Sequence, residues 1–271
     1  MNTQSLMDAA VKLAKLEAMP HDCGVLVPGE NIKRVLVGVD MDTAELLLAR
    51  ELGFDCVVSH HPRNTSNEFV DVMDHHIQKL ADCGVPYNKA YKIVNAVKKN
   101  RHISWHPGNS HRVESAAKLM NMPFMCLHTP ADLITERFVQ NFIDKRFNGN
   151  PRTTLNEITT ALEEIHEFKK AVKKPVIRVG EGDCYAGKIY VSMSGLTNLD
   201  HTGLKAYFDA GIGTIIQMHI TESDIKAAAE WKTGNIIITD HNASDSIGMN
   251  IIFAEWEKMG VEVTVMSGIV R

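Results

Sequence analysis

The sequence predicts an α/β protein in which short buried strands alternate with helices. Three observations point there. Apolar, β-branched runs such as Arg34–Asp40, Asp55–Ser59, Thr214–Met218 and Asn235–Thr239 are too short for helices and too continuous for half-exposed strands. Helix-compatible stretches separate them, the signature of strands laid side by side beneath covering helices. Four strands hand over directly to histidine or aspartate, and ligands gather at the carboxyl ends of parallel strands.

Taken in order, Met1–Met19 carries a helical stripe of Leu6, Ala9, Ala10, Leu13 and Leu16, and Pro20 ends it. Strand Arg34–Asp40, helix Thr43–Leu52 and strand Asp55–Ser59 form a strand–helix–strand unit that runs into His60, His61 and Pro62. Asn67–Cys83, Tyr87–Lys99 and His111–Leu119 are expected to be helical, and Phe124–Leu127 is a strand leading into His128. Leu133–Arg146 and Thr154–Lys173 are expected helices, separated by the turn-rich Asn148–Pro151. In the second half Pro175–Val179 and Lys188–Met193 read as strands with Gly180–Gly187 as a hairpin connection. Helix His201–Gly211, strand Thr214–Met218 ending on His219, helix Ser223–Trp231 and strand Asn235–Thr239 ending on Asp240 and His241 follow. Helix Ile247–Met259 and strand Val261–Met266 close the chain.

A chain of 271 residues with 44% hydrophobic and 23% charged residues can bury a core without staples. The net charge of -4 and pI near 6.3 give no general attraction for nucleic acid or anionic membranes. The five cysteines form no C-x-x-C pair, and the helical start lacks the apolar centre of a signal peptide. No stretch is apolar enough for a membrane span, so a cytoplasmic location is expected.

Three motifs at strand ends could carry chemistry. Adjacent side chains on a regular strand diverge, but at its end the backbone can turn and bring His60 and His61 into one cavity; the plain alternative is one buried and one exposed histidine. In His128-x3-Asp132 the acid could supply an oxygen ligand, with His128 ligating or orienting it. Equally, Thr129, Pro130 and Asp132 suit a helix N-terminus. His241-x3-Asp245 would share one face if a helical turn begins there, and Asn242, Ser244 and Asp245 also favour caps. Together these histidines and carboxylates suit a mixed nitrogen/oxygen site for zinc, manganese or iron. His219 and Asp40 are outer candidates.

The segments GVDMDTAELLLARELGFDCVVSHHP (Gly38–Pro62), HTPAD (His128–Asp132) and DHNASD (Asp240–Asp245) resemble the NIF-three-like family, some members of which are labelled GTP cyclohydrolase I type 2. The resemblance spans most of the chain. It implies two similar α/β lobes facing a central cleft with a dinuclear metal site, within a single unit 1–271 whose lobes are about 1–147 and 175–271, joined by a helical connection at 152–174. Carried over by motif, the ligands are His60, His61, Asp132, His241 and Asp245, where Asp245 stands in place of the family's glutamate. His219, in MHITESD (Met218–Asp224), replaces part of a basic segment common in relatives. Short family members imply a homo-oligomer, up to a hexamer.

The function expected is a metal-dependent hydrolase that uses two divalent ions (Zn, Mn or Fe) and an activated water on a small nucleotide or phosphoester-like substrate, with His128 or His219 as the proton-transferring catalytic residue. No G-x-x-x-x-G-K-[ST] loop supports nucleotide triphosphate recognition. The competing class is a non-enzymatic metal-binding chaperone, regulator or scaffold.

Overall fold

A computed structural model describes residues 1–63, 67–194 and 198–271. Its first elements are α1 (Thr3–Leu13), β1 (Gly24–Val27), β2 (Arg34–Gly38), α2 (Thr43–Glu51), β3 (Cys56–Ser59), a 3-10 helix (Asn67–Asp74), α3 (His75–Asp82) and α4 (Tyr87–Trp105). Then come α5 (Arg112–Met120), β4 (Phe124–Cys126), α6 (Thr129–Phe147), α7 (Leu155–Leu162), α8 (His166–Lys170), β5 (Val176–Val179) and β6 (Ile189–Val191). The chain closes with α9 (His201–Asp209), β7 (Thr214–Gln217), α10 (Glu222–Trp231), β8 (Asn235–Ile238), α11 (His241–Lys258) and β9 (Glu262–Met266).

The chain forms two compact units that interleave in sequence. The first comprises Met1–Val72, Trp105–Ile134 and Asp245–Arg271, and the second Met73–Ser104 and Thr135–Ser244. Met73–Ser104 thus groups with the later part of the chain, and most of α11 with β9 groups with the first unit.

The first unit holds a sheet of order β1-β4-β3-β2-β9. Strands β4, β3, β2 and β9 run parallel, and β1 lies antiparallel on β4 with a register shift between Val25 and Val27. The central strands are apolar at successive positions because both faces are covered. Val35, Val37, Val58 and Met125 pack with Leu6, Phe253 and Trp256 on one face. Leu36, Val57, Phe124 and Cys126 pack with Leu46, Ala49, Val113 and Ala117 on the other. Buried Trp256 donates its indole N–H to Leu6 O at 3.0 Å, locking α11 to α1. A capping box of Asp42 and Glu45 starts α2, which feeds the chain into β3.

The second unit holds a sheet of order β5-β8-β7-β6, with β6, β7 and β8 parallel and β5 antiparallel to β8. Its register shifts between Ile177 and Val179. This is the plan of β1–β4 repeated, strand for strand and direction for direction. Ile215 and Ile236 pack with Leu80, Val94, Leu204, Phe208 and Ala228 from α3, α4, α9 and α10.

Several expectations are corrected. Strand β1 lies in a stretch that the sequence pattern leaves unassigned, and each sheet adds one antiparallel strand, β1 or β5, to its parallel strands. Gly180–Gly187 does not connect a hairpin, since β5 and β6 sit at opposite edges of their sheet. The stretch Thr154–Lys173 divides into α7 and α8, and Asn67–Cys83 opens as a 3-10 helix. Helices α6 and α11 begin earlier than expected, at Thr129 and His241. Among the described residues no helix is long and apolar enough to cross a membrane.

Candidate metal centre

The parallel pair β2–β3 runs out together, Gly38 opposite Ser59, and builds the first part of the site. Beyond Ser59 the backbone still pairs: His60 N–H donates to Gly38 O at 2.9 Å and His61 N–H to Val39 O at 2.8 Å. Buried Ser59 bends the segment by accepting from Met41 N–H (3.2 Å) and donating to His61 O (2.9 Å). Both imidazoles thereby reach one place, with ring centroids 5.2 Å apart. His128, two residues beyond β4, brings a third ring 4.8 Å from that of His60.

Two helices supply the carboxylates. Asp132 lies in the first turn of α6, where the helix dipole favours negative charge, and Asp245 lies one turn into α11. The helices touch backbone to side: a Cβ on Gly248 would stand 2.0 Å from Ala131 O, so only glycine admits this approach. His60 Nε2 lies 3.5 Å from Asp132 Oδ1 and 3.4 Å from Asp245 Oδ1. The second oxygens reach other rings: Asp245 Oδ2 is 3.6 Å from His61 Nε2, and Asp132 Oδ2 is 3.7 Å from His128 Nε2. Each carboxylate therefore spans two histidines.

The outer nitrogens are all engaged. His60 Nδ1 donates to Leu127 O at 3.0 Å, His61 Nδ1 faces Asp40 Oδ1 at 3.1 Å, and His128 Nδ1 faces Asp22 Oδ2 at 2.7 Å. Metal-ligating histidines characteristically tie one ring nitrogen to a carbonyl or carboxylate and offer the other to the ion. By contrast, His60 Nε2 and Asp132 Oδ1 are buried and make no hydrogen bond. Their separation is too long for one. It matches two ligands sharing an ion, since donors about 2.0–2.2 Å from zinc at tetrahedral angles stand roughly 3.4 Å apart. Geometrically, His60, His61 and His128 form one possible ligand group, and His60, Asp132 and Asp245 another. The buried cluster fits divalent metal.

The protonation equilibria of these groups are strongly shifted. Burial pushes the Asp132 carboxyl up to about 7, against the pull of His128 and His60. Burial, helped by neighbouring His60, lowers the His61 imidazole to about 4. For His128 burial acts downward, but the carboxylates of Asp132, Asp22 and Asp245 prevail and raise it to about 9. His60 is also raised, Asp245 overcoming the effect of burial.

Of the residues selected from sequence, His60, His61, His128, Asp132 and Asp245 come together, and Asp40 backs His61 while pairing with Arg63. His241 opens α11 one turn before Asp245, as the i,i+4 spacing required. His219 lies beside His241 in the second unit, ring centroids 4.9 Å apart. The two line a cavity of about 290 Å³ with Arg101, Asn198, Thr221 and Asp224. Sequence reasoning did not select Asp22, Gly248 or Arg101. A glycine in mid-helix was the one available signal, marking a close packing contact.

Fold and site together define a mixed α/β protein whose buried His/Asp cluster could hold metal ions. No protein-family model and no curated protein matches the chain. Among solved structures, a NIF3 superfamily protein from Sphaerobacter thermophilus is 32% identical, with 99% of this chain and 98% of that one covered and a TM-score of 0.95. The chain belongs to the NIF3 superfamily. Reduced HcgD from Methanocaldococcus jannaschii shares the fold at 14% identity and a TM-score of 0.58, covering 98% of this chain and 97% of that one. TTHA1606 from Thermus thermophilus does so at 15% and 0.55, covering 98% of both chains.

Proposed function

We propose that the protein binds two divalent ions, zinc, manganese or iron, and acts as a metal-dependent hydrolase on a small phosphoester or nucleotide. The ligands assigned are His60, His61, Asp132, His241 and Asp245, with His128 as an additional nitrogen. The observation that supports this reading most directly is the shared orientation of His60, His61 and His128: each Nδ1 is engaged outward and each Nε2 lies 3.4–3.7 Å from a buried carboxylate oxygen. A set of core histidines satisfied by one another would not leave His60 Nε2 and Asp132 Oδ1 without hydrogen bonds. When bound, such ions supply Lewis acidity toward a phosphoryl group and activate water.

The chain's own residues set the rest. Asp40 and Leu127 O fix the rings of His61 and His60, so the nitrogen lone pairs are held before an ion arrives. Asp132 and Asp245 each bring two oxygens but one negative charge, and so would offset half of the charge of a divalent pair. The cavity at His219 and His241 offers Arg101 and Asn198 to an anionic group, and His219 is placed to exchange a proton there.

The deep burial of His60, Asp132 and Asp245 favours a second reading, in which the ions are stored or delivered rather than used. Elemental analysis of tag-free protein, wild type against His60→Ala, tests the shared premise: about two ions per chain are expected, fewer in the variant. A folded wild type that takes up no zinc, manganese or iron on reconstitution removes both readings. Turnover on a phosphoester panel that falls with the His60→Ala change supports hydrolysis, whereas metal without any turnover leaves storage.

A further inference from the structure

We propose that Asp22 is a positioning residue for the metal centre: it holds the outer nitrogen of His128 so that Nε2 of this histidine serves as a metal ligand. The inference rests on the metal-binding reading above and extends it beyond the strand-end motifs.

Asp22 lies in the turn before β1, 106 residues from His128 in sequence, and is fully buried. Oxygen Oδ2 meets His128 Nδ1 at 2.7 Å and accepts from Thr129 Oγ1 at 2.7 Å. The thiol of Cys23 approaches Oδ1 at 3.6 Å, and the same sulfur accepts from the His128 backbone N–H at 3.3 Å. The carboxylate is thus surrounded by groups that point it at one ring. A buried carboxylate costs several kcal/mol in lost hydration, so its place requires a strong, well-aligned partner.

A structural tie between this turn and α6 would be satisfied by Thr129 alone. The direction of the imidazole is what distinguishes the two roles. With Nδ1 on Asp22, Nε2 turns inward to 3.7 Å from Asp132 Oδ2 and joins His60 and His61 in one possible ligand group. His61–Asp40 repeats the arrangement with an exposed carboxylate, and His60–Leu127 O with a carbonyl. Asp22 also adds a negative charge behind the ring, which strengthens the nitrogen as a donor to a cation.

The test uses the full chain loaded with zinc and, separately, cobalt. In 15N-histidine spectra of the wild type, zinc is expected to shift His128 Nε2 while Nδ1 keeps a proton protected from exchange. Asp22→Asn should weaken zinc at one site by about 10–100-fold in chelator competition and alter the cobalt absorption bands. Thr129→Val, which spares the His128 contact, should do much less. In a double-mutant cycle Asp22→Asn should add little to His128→Ala. Should Asp22→Asn not fold, the wild-type spectra decide alone. A zinc-loaded wild type whose His128 Nε2 does not shift, or a folded Asp22→Asn protein with wild-type zinc affinity, overturns the proposal while the metal centre stands. A wild type that binds no metal overturns the centre itself.

Discussion

In the first sheet β3 and β4 run out into His60, His61 and His128; in the second, the matching strands β7 and β8 run out into Met218, His219 and Asp240. The match follows from register, since Ser59 stands opposite Cys126 as Gln217 stands opposite Ile238. Where the first sheet places His60, the second places a buried thioether. Where the first places His128, the second places Asp240, whose Oδ1 accepts from Ala243 N–H at 2.9 Å and whose Oδ2 faces Lys173 N–H at 3.3 Å. Asp240 is therefore an N-cap, its lone pairs directed at backbone donors. His128 instead points one nitrogen at Asp22 and the other into the cluster. A strand end becomes a ligand site when its side chains are held by groups behind them, so that their inner atoms converge on one place.

The largest expected effect comes from breaking the helix contact peculiar to the first unit. A Cβ at Gly248 would fall 2.0 Å from Ala131 O, a backbone atom that cannot move aside alone. Gly248→Ala should destabilise the protein by about 1–3 kcal/mol or more, and displace Asp245 from Asp132. Urea denaturation and metal content should both report it. A variant with wild-type stability and metal content would show that this contact does not set the carboxylate pair.

Proton competition sharpens the comparison with a smaller effect. His128 is raised to about 9, so in metal-free protein its imidazolium stabilises the fold fully below the unfolded value near 6.5. That contribution disappears as pH rises through about 9. Zinc must displace the same proton, so affinity should rise over this interval by up to about tenfold per pH unit for each proton released. Urea midpoints of the metal-free protein should fall from pH 7 to 9 while chelator competition shows tighter zinc. Opposite slopes would remove His128 from the centre.

The strand-end motifs were legible because local chemistry produces them. Apolar runs of strand length end on His60, His128, His219 and Asp240, and i,i+4 spacing pairs His241 with Asp245 once a helix begins there. The helix-start reading of HTPAD and its metal reading both describe Asp132, which sits in the first turn of α6 and in the cluster. What escaped was set by distant contacts. Asp22 precedes a strand of only four residues and acquires meaning from a partner 106 residues away. The Gly180–Gly187 segment has hairpin composition, yet β8 takes the antiparallel place beside β5, which no local signal specifies. Nor does the pattern of Glu262–Met266 reveal that β9 pairs with β2 in the first sheet.

Arg101 belongs to the same class of hidden residue, one cation among several on α4, and it carries the smallest effect. In the structure it lines the roughly 290 Å³ cavity with Asn198, His219, Thr221 and His241. The acid in that wall, Asp224, is already committed, accepting from His201 N–H at 2.8 Å and from the Thr221 hydroxyl at 2.6 Å. An anion entering the cavity would therefore meet a guanidinium and two imidazoles against a carboxylate whose charge is partly satisfied. Inorganic phosphate should perturb the His219 resonances, and Arg101→Ala should weaken that binding by roughly tenfold, the worth of one charge-assisted hydrogen bond. Metal content should not change, because Arg101 is not among the assigned ligands. If phosphate leaves His219 unperturbed, or if the variant binds it as well as wild type, the second strand end is a packed counterpart of the first rather than a place for the substrate's anionic group.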